Sequence, residues 1–138
     1  MTKTILILLL FFGFHCGGDP LTVIDATAQS FTGGREQSTS GMILTVYLQA
    51  KRPSHRLHIE NLVVLGDTFP AVLRHPATGD LIRRFQRKDT LLIKVTVTQI
   101  TFSRQEKDFT AFVEYKTGKK EKTLAIQKFR QLPEQIRR

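Results

Sequence analysis

Apolar and polar residues alternate with a period of two through much of the chain, the pattern of a strand that is buried on one face. The clearest case is the segment 42–51. One of its faces collects the apolar residues Met42, Leu44, Val46, Leu48 and Ala50. The other face carries Thr45, Gln49 and Lys51 together with Ile43 and Tyr47. The segment is therefore predicted to be a half-buried strand.

Further strands are predicted where β-branched and apolar runs lie between turn-forming residues. Besides 42–51, these segments are 23–31, 57–65, 69–74, 81–85, 90–98, 109–115 and 122–129. Gly66-Asp67 and the segment 75–80 have turn chemistry, and 116–119 is predicted to be a hairpin loop. Pro70 within 69–74 indicates an edge strand or the start of a strand.

Helical periodicity is weak throughout. The nearest approach is the segment 131–137, which Pro133 interrupts. Seven or eight short strands at about ten-residue spacing predict an all-β fold, an antiparallel, immunoglobulin-like β-sandwich, with a small barrel as the alternative. No internal repeat or linker divides the chain, so residues 19–138 are expected to form one domain.

The N-terminal segment 1–18 has the proportions of a signal peptide. Lys3 precedes an unbroken apolar run of eight residues, 5–12, which Phe14 extends. A membrane-spanning helix needs about 20 apolar residues, so this run is too short to cross a bilayer. We therefore expect an exported protein that is periplasmic or attached to the outer membrane, and otherwise secreted.

Three ways of processing this signal remain open, and an uncleaved anchor is the last alternative. Cys16, the only cysteine, stands where a bacterial lipoprotein carries its acylated thiol, although Phe14 and His15 are bulky for the positions before it. Cleavage after Gly18 or after Ala28 would instead release an unmodified chain. Acylation of Cys16 predicts a lipid anchor, and a single cysteine excludes an intramolecular disulfide and a cysteine-based zinc site.

The composition is basic, with 21 Lys and Arg against 12 Asp and Glu and a formal net charge of +9. Removal of residues 1–15 takes away Lys3 and no acid, so the charge falls by one, to +8, and belongs to the folded part. The candidate basic surface consists of Arg83, Arg84, Arg87, Lys88, Lys119, Lys120 and Lys122. On one face these residues would attract acidic glycan, lipid head groups or nucleic acid.

Nucleic acid is the least favoured of these ligands, because the aromatic residues fall in strand patterns and an exported protein meets little of it. The alternative explanation of the basic residues is a solvated surface that keeps sheet edges from pairing.

The segment 31–41 is the most distinctive loop. Its candidate binding residues are Gly33, Gly34, Arg35, Ser38, Ser40 and Gly41. Backbone N–H groups and hydroxyls there could hold an anion or a sugar, although neither a phosphate loop nor a nucleophile elbow is present. The alternative is a solvated loop whose glycines permit positive φ.

Catalytic chemistry is not favoured by the sequence. His55 and His58 are three apart at the start of a strand and would point to opposite faces. A metal site of His58, His75 and Asp67 is a remote alternative, since each aspartate stands alone in a turn. We therefore predict no catalytic residues, no metal and no cofactor.

The segments 30–35 and 38–41, Lys88-Asp89 and the segment 124–132 resemble small uncharacterised exported proteins, often lipoproteins, of gram-negative bacteria of the Bacteroidota type. The resemblance covers most of residues 25–132 and implies a β-sandwich on the periplasmic side or cell surface. It implies no catalytic residues.

The expected function is a non-catalytic binding or structural module at the cell envelope, with an envelope protein or a glycan as partner. A soluble polyanion binder is the first alternative, and a small envelope hydrolase is the second.

Overall fold

A computed structural model describes residues 19–33, 41–98 and 110–137 of the chain. These residues form eight strands and no helix. The strands are β1 (Leu21–Gly33), β2 (Gly41–Ala50), β3 (His58–Val64), β4 (Asp67–Pro70), β5 (Thr90–Thr98), β6 (Ala111–Thr117), β7 (Lys120–Ile126) and β8 (Arg130–Arg137). Among the described residues, no helix long and apolar enough to cross a membrane is found.

The strands form two four-stranded sheets, with orders β5-β2-β1-β8 and β4-β3-β6-β7. Every pairing is antiparallel except that of β1 with β8, which is parallel. The first, second and fifth strands lie in one sheet and the third, sixth and seventh in the other, as in immunoglobulin-like domains. The predicted all-β sandwich is confirmed.

The core lies between the two sheets and is built from the inward faces that the alternation predicts. Leu44, Val46 and Leu48 of β2 are fully buried, as are Leu62 of β3 and Val113 of β6. These residues belong to a single hydrophobic cluster that also includes side chains of β1 and β5.

The structure differs from the predicted elements in three places. Only 67–70 of the region around 69–74 is a strand, and its pairing with β3 ends at Ala71, whose N–H donates to the Glu60 carbonyl at 2.9 Å. The segment 81–85 forms no strand, and Leu81 makes only an isolated bridge to Arg74. The segment 131–137, which has the chain's nearest approach to helical periodicity, is instead the strand β8.

Candidate functional site

Two loops meet at the end of the sandwich where β2 finishes and β5 begins. Ser54, in the loop after β2, donates its backbone N–H to the Phe85 carbonyl at 2.9 Å. Lys88 donates to the carbonyl of Ala50 at 2.7 Å, and Ala50 donates to the carbonyl of Asp89 at 3.0 Å. The segment before β5 is therefore fixed against the end of β2 and the loop that follows it.

The β6–β7 turn lies at the same end. His58 at the start of β3 pairs with Lys116 near the end of β6, so the turn follows directly beyond this pair. Burial raises the pKa of Tyr115, the neighbour of Lys116, and the charges of Asp19 and Arg52 also act on its hydroxyl. The turn, the start of β1 and the loop after β2 therefore share one end of the molecule.

We call this surface the basic end and define it as residues 51–56, 83–89 and 116–122. It holds eleven of the chain's 21 lysines and arginines, against two acids, Asp89 and Glu121. All of its lysines and arginines are exposed except Lys116, which is half-buried. The structure thus brings the seven predicted basic residues together, from Arg83 to Lys122.

Ion pairing neutralises little of this charge. Lys116 Nζ lies 3.0 Å from Glu60 Oε1 and 3.3 Å from Glu121 Oε1, and these contacts raise the pKa of Lys116. Within the described part of the chain, no other lysine or arginine of the basic end has an acid within salt-bridge distance. With respect to the described acids, ten exposed cations thus remain available to an external anion.

The turn 86–89 presents two of these cations on a rigid backbone. Asp89 donates its N–H to the Gln86 carbonyl at 3.2 Å, and Gln86 donates its own N–H to Asp89 Oδ2 at 2.8 Å. Lys88 occupies the third position of the turn with a φ of 77°, where glycine is the usual residue. Arg87 and Lys88 are therefore held in place by backbone bonds.

The β6–β7 turn is also tightly defined. Thr117 pairs with Lys120, leaving Gly118-Lys119 as a two-residue loop. Gly118 has a φ of 62°, which fits a type II′ turn with glycine at its first central position. The hairpin that the sequence predicts at 116–119 is present, and its turn holds Lys119 at the tip.

Gly33 and Gly41, the two described residues of the predicted binding loop, lie at the opposite end of the sandwich. Gly33 ends β1 and Gly41 begins β2, whereas Leu21, the first residue of β1, lies at the basic end. Gly33 is twelve positions after Leu21, a span of about 40 Å along the strand. Gly34, Arg35, Ser38 and Ser40 lie outside the described residues. Gly33 and Gly41 are therefore far from the basic end.

The remote metal site of His58, His75 and Asp67 is not assembled. His58 begins β3 and Asp67 follows its far end. The Nδ1 atom of His75 accepts the backbone N–H of Ala77 at 3.1 Å. No group of three or more potential metal ligands occurs among residues 19–33, 41–98 and 110–137.

Lys51, Arg52 and Arg56 are site residues that the sequence reasoning missed. They lie where the predicted strand 42–51 ends and in the loop that follows β2, which contains Pro53. The available signal was the local charge, because three of the six residues 51–56 are basic and none is acidic.

The site is interpreted from its own charge and geometry. The chain was compared with protein-family profiles, with curated proteins and with solved structures, and none of the three comparisons found a match.

Proposed function

We propose that this chain is a non-catalytic binding module that holds polyanions at its basic end. The observation that carries this proposal is the convergence of three basic segments, 51–56, 83–89 and 116–122, which are distant in sequence. Ten of their lysines and arginines are exposed. A surface of this kind attracts extended anions and releases their counterions on binding.

The spacing of the charges favours an extended anion over a small one. The basic end spans two loops and a hairpin turn that belong to both sheets. The fields of charges that lie within about one Debye length of each other, roughly 8 Å at physiological salt, add. A repeating anion can contact several of these cations at once.

Heparin, a sulfated polysaccharide, is a suitable probe for the test. The full-length protein is titrated with heparin at several salt concentrations, and log K is plotted against log salt. Several ionic contacts predict a steep negative slope, because each contact contributes about −0.7 to −0.9 on nucleic acids. A flat dependence would refute polyanion binding and would favour a protein partner held by apolar contacts.

Charge reversal locates the contacts. The double variant Arg84→Glu/Lys120→Glu should weaken heparin binding about tenfold or more, since each ionic contact is worth on the order of 1 kcal/mol. The control is the double variant Lys94→Glu/Lys128→Glu, which makes the same change in net charge at two exposed residues outside the basic end. Its affinity for heparin should fall by about threefold or less. Equal losses in the two variants would contradict a localised site.

The module is further proposed to be exported, with Cys16 as its lipid attachment site. β1 begins at Leu21, so acylation of Cys16 or cleavage after Gly18 would leave all eight strands intact. Cleavage after Ala28 would remove eight residues of β1, including the buried Leu21 and Ala26.

The intact mass of the N-terminal peptide from the native host tests this proposal. A peptide that starts at Cys16 and carries an acylated glyceride supports anchoring. An unmodified peptide starting at Asp19 would mean secretion without an anchor, and retention of residues 1–15 would contradict processing.

A further inference from the structure

We infer that the polyanion is the head-group layer of an anionic membrane, and that the basic end faces this membrane. The inference rests on the proposed function and assigns its ligand class. It is carried by one further observation, the place at which the chain enters the sandwich.

The chain enters among the basic loops. Lys51 donates its backbone N–H to the Pro20 carbonyl at 2.8 Å, so the residue before β1 is fixed to the loop after β2. Leu21 is buried at 1% exposure directly after this contact. Asp19, one residue before Pro20, is near enough to Tyr115 to influence its pKa. The preceding part of the chain therefore starts from the basic end.

The length of the preceding chain brings that end close to any membrane attachment. Cys16 lies three residues before Asp19, a reach of at most about 10 Å, and the apolar run with Phe14 ends five residues before it, about 17 Å. A chain held in the bilayer through either feature places the basic end within about two Debye lengths of the head groups.

Charge and attachment then reinforce each other. A polybasic patch beside a lipid attachment adds a second, electrostatic attraction to an anionic membrane. Cations near an anionic surface each add attraction that decays over a Debye length. The ten exposed cations lie where such a second signal would act, whereas Gly33 at the far end of β1 lies about 40 Å away.

Lysine acetylation in vesicles tests the orientation with the full-length chain. The protein is reconstituted into vesicles of phosphatidylcholine alone or with about 30% phosphatidylglycerol, and is treated with a water-soluble acetylating ester. Mass spectrometry then reports the modification of each lysine. Lys51, Lys88 and Lys119 report on the basic end. Lys94 and Lys128 are exposed internal controls outside it.

The anionic vesicles should lower acetylation of the three basic-end lysines about fivefold or more relative to the neutral vesicles, and leave the two controls unchanged. Raising the salt to about 0.5 M should remove most of this protection, because the Debye length falls to roughly 4 Å. Equal acetylation in both kinds of vesicle would overturn the inference.

A third arm separates this failure from failure of the proposed function. Heparin is added to the protein in neutral vesicles, and the same lysines are followed. Protection by heparin without protection by anionic vesicles would leave polyanion binding standing and point to an acidic glycan. Absence of protection in both arms would overturn the inference and the proposed function together.

Discussion

Gly41 lies where three strands approach closely, and its replacement by alanine should destabilise the fold. A Cβ atom at this position would lie 2.4 Å from the Val97 carbonyl oxygen of β5. It would also lie 2.8 Å from Cζ of Phe31 on β1, whose ring is 3% exposed. The sequence suggested binding, or freedom of φ, as roles for this glycine. The structure gives it a packing role.

Two opposing terms decide the size of the effect. Alanine is favoured over glycine within a strand by about 0.5–1 kcal/mol, because glycine loses more entropy on folding. Overpacking costs about 1–3 kcal/mol where side chains can move aside. Phe31 can move, but the Val97 oxygen is backbone, so β2 must separate from β5 and weaken ladder bonds worth about 1 kcal/mol each. We therefore expect Gly41→Ala to lower the free energy of unfolding by about 2 kcal/mol.

Urea unfolding measures this loss through the transition midpoint at constant slope. The control is Gly79→Ala, where no atom lies within 4 Å of the added Cβ and the cost comes only from a φ of 76°. In a Phe31→Leu background, most of the Gly41→Ala loss should remain, because the Val97 oxygen still blocks the Cβ. A Gly41→Ala protein as stable as the wild type would refute the reasoning.

Three further predictions concern local features. Leu65→Asn should raise the free energy of unfolding by about 0.5–1 kcal/mol, measured as a higher urea midpoint at constant slope, because Leu65 has a φ of 50° before Gly66 in a two-residue turn that favours Asn-Gly. Lys88→Gly should leave the unfolding free energy within about 1 kcal/mol, since relief of left-handed strain offsets the entropy of glycine, yet heparin binding should weaken. Arg130 donates a hydrogen bond of 2.8 Å to Asp25, and this contact lowers the pKa of the Asp25 carboxyl in the folded state. The contact therefore stabilises the fold fully above the unfolded-state pKa of Asp25, and this stabilisation is lost as the pH falls through the folded-state pKa. Below about pH 4, the free energy of unfolding of Arg130→Gln should therefore fall less steeply with decreasing pH than that of the wild type. The same pH dependence in both proteins would contradict a stabilising contact between Arg130 and Asp25.

The strands that alternation predicts are those with one face on the core. β2 and β5 carry this signal clearly, because every second side chain enters the same hydrophobic cluster. β8 carries none, since it is an edge strand held by its parallel pairing with β1. Its register slips around Pro133, whose carbonyl accepts a hydrogen bond from the Gln29 side chain. A strand that is held by backbone pairing and contains a bulge shows little hydrophobic alternation in its sequence.

The basic residues of the site are visible in the sequence, but their convergence is not. Arg84 and Lys120 are 36 positions apart, and they meet at one end only because β3 pairs with β6 and the loop after β2 bonds to Phe85. Strand order and register are long-range properties, and hydrophobic alternation fixes only which face of each strand is buried. The local charge of residues 51–56 is likewise visible in the sequence, whereas their place beside the segment 83–89 follows only from the fold.

Protection of sheet edges, the alternative explanation of the basic residues, accounts for part of the basic end. β7 is the edge of its sheet, so exposed Lys120 and Lys122 on it hinder pairing with another chain. The segments 51–56 and 83–89 belong to no strand and protect no edge, yet they carry seven of the eleven bases.

Crowding like charges raises the free energy of the folded state. An anion that bound only the folded chain would relieve this repulsion and stabilise the fold. Edge protection offers no such compensation for the charges on the two loops, so polyanion binding is the better explanation of them.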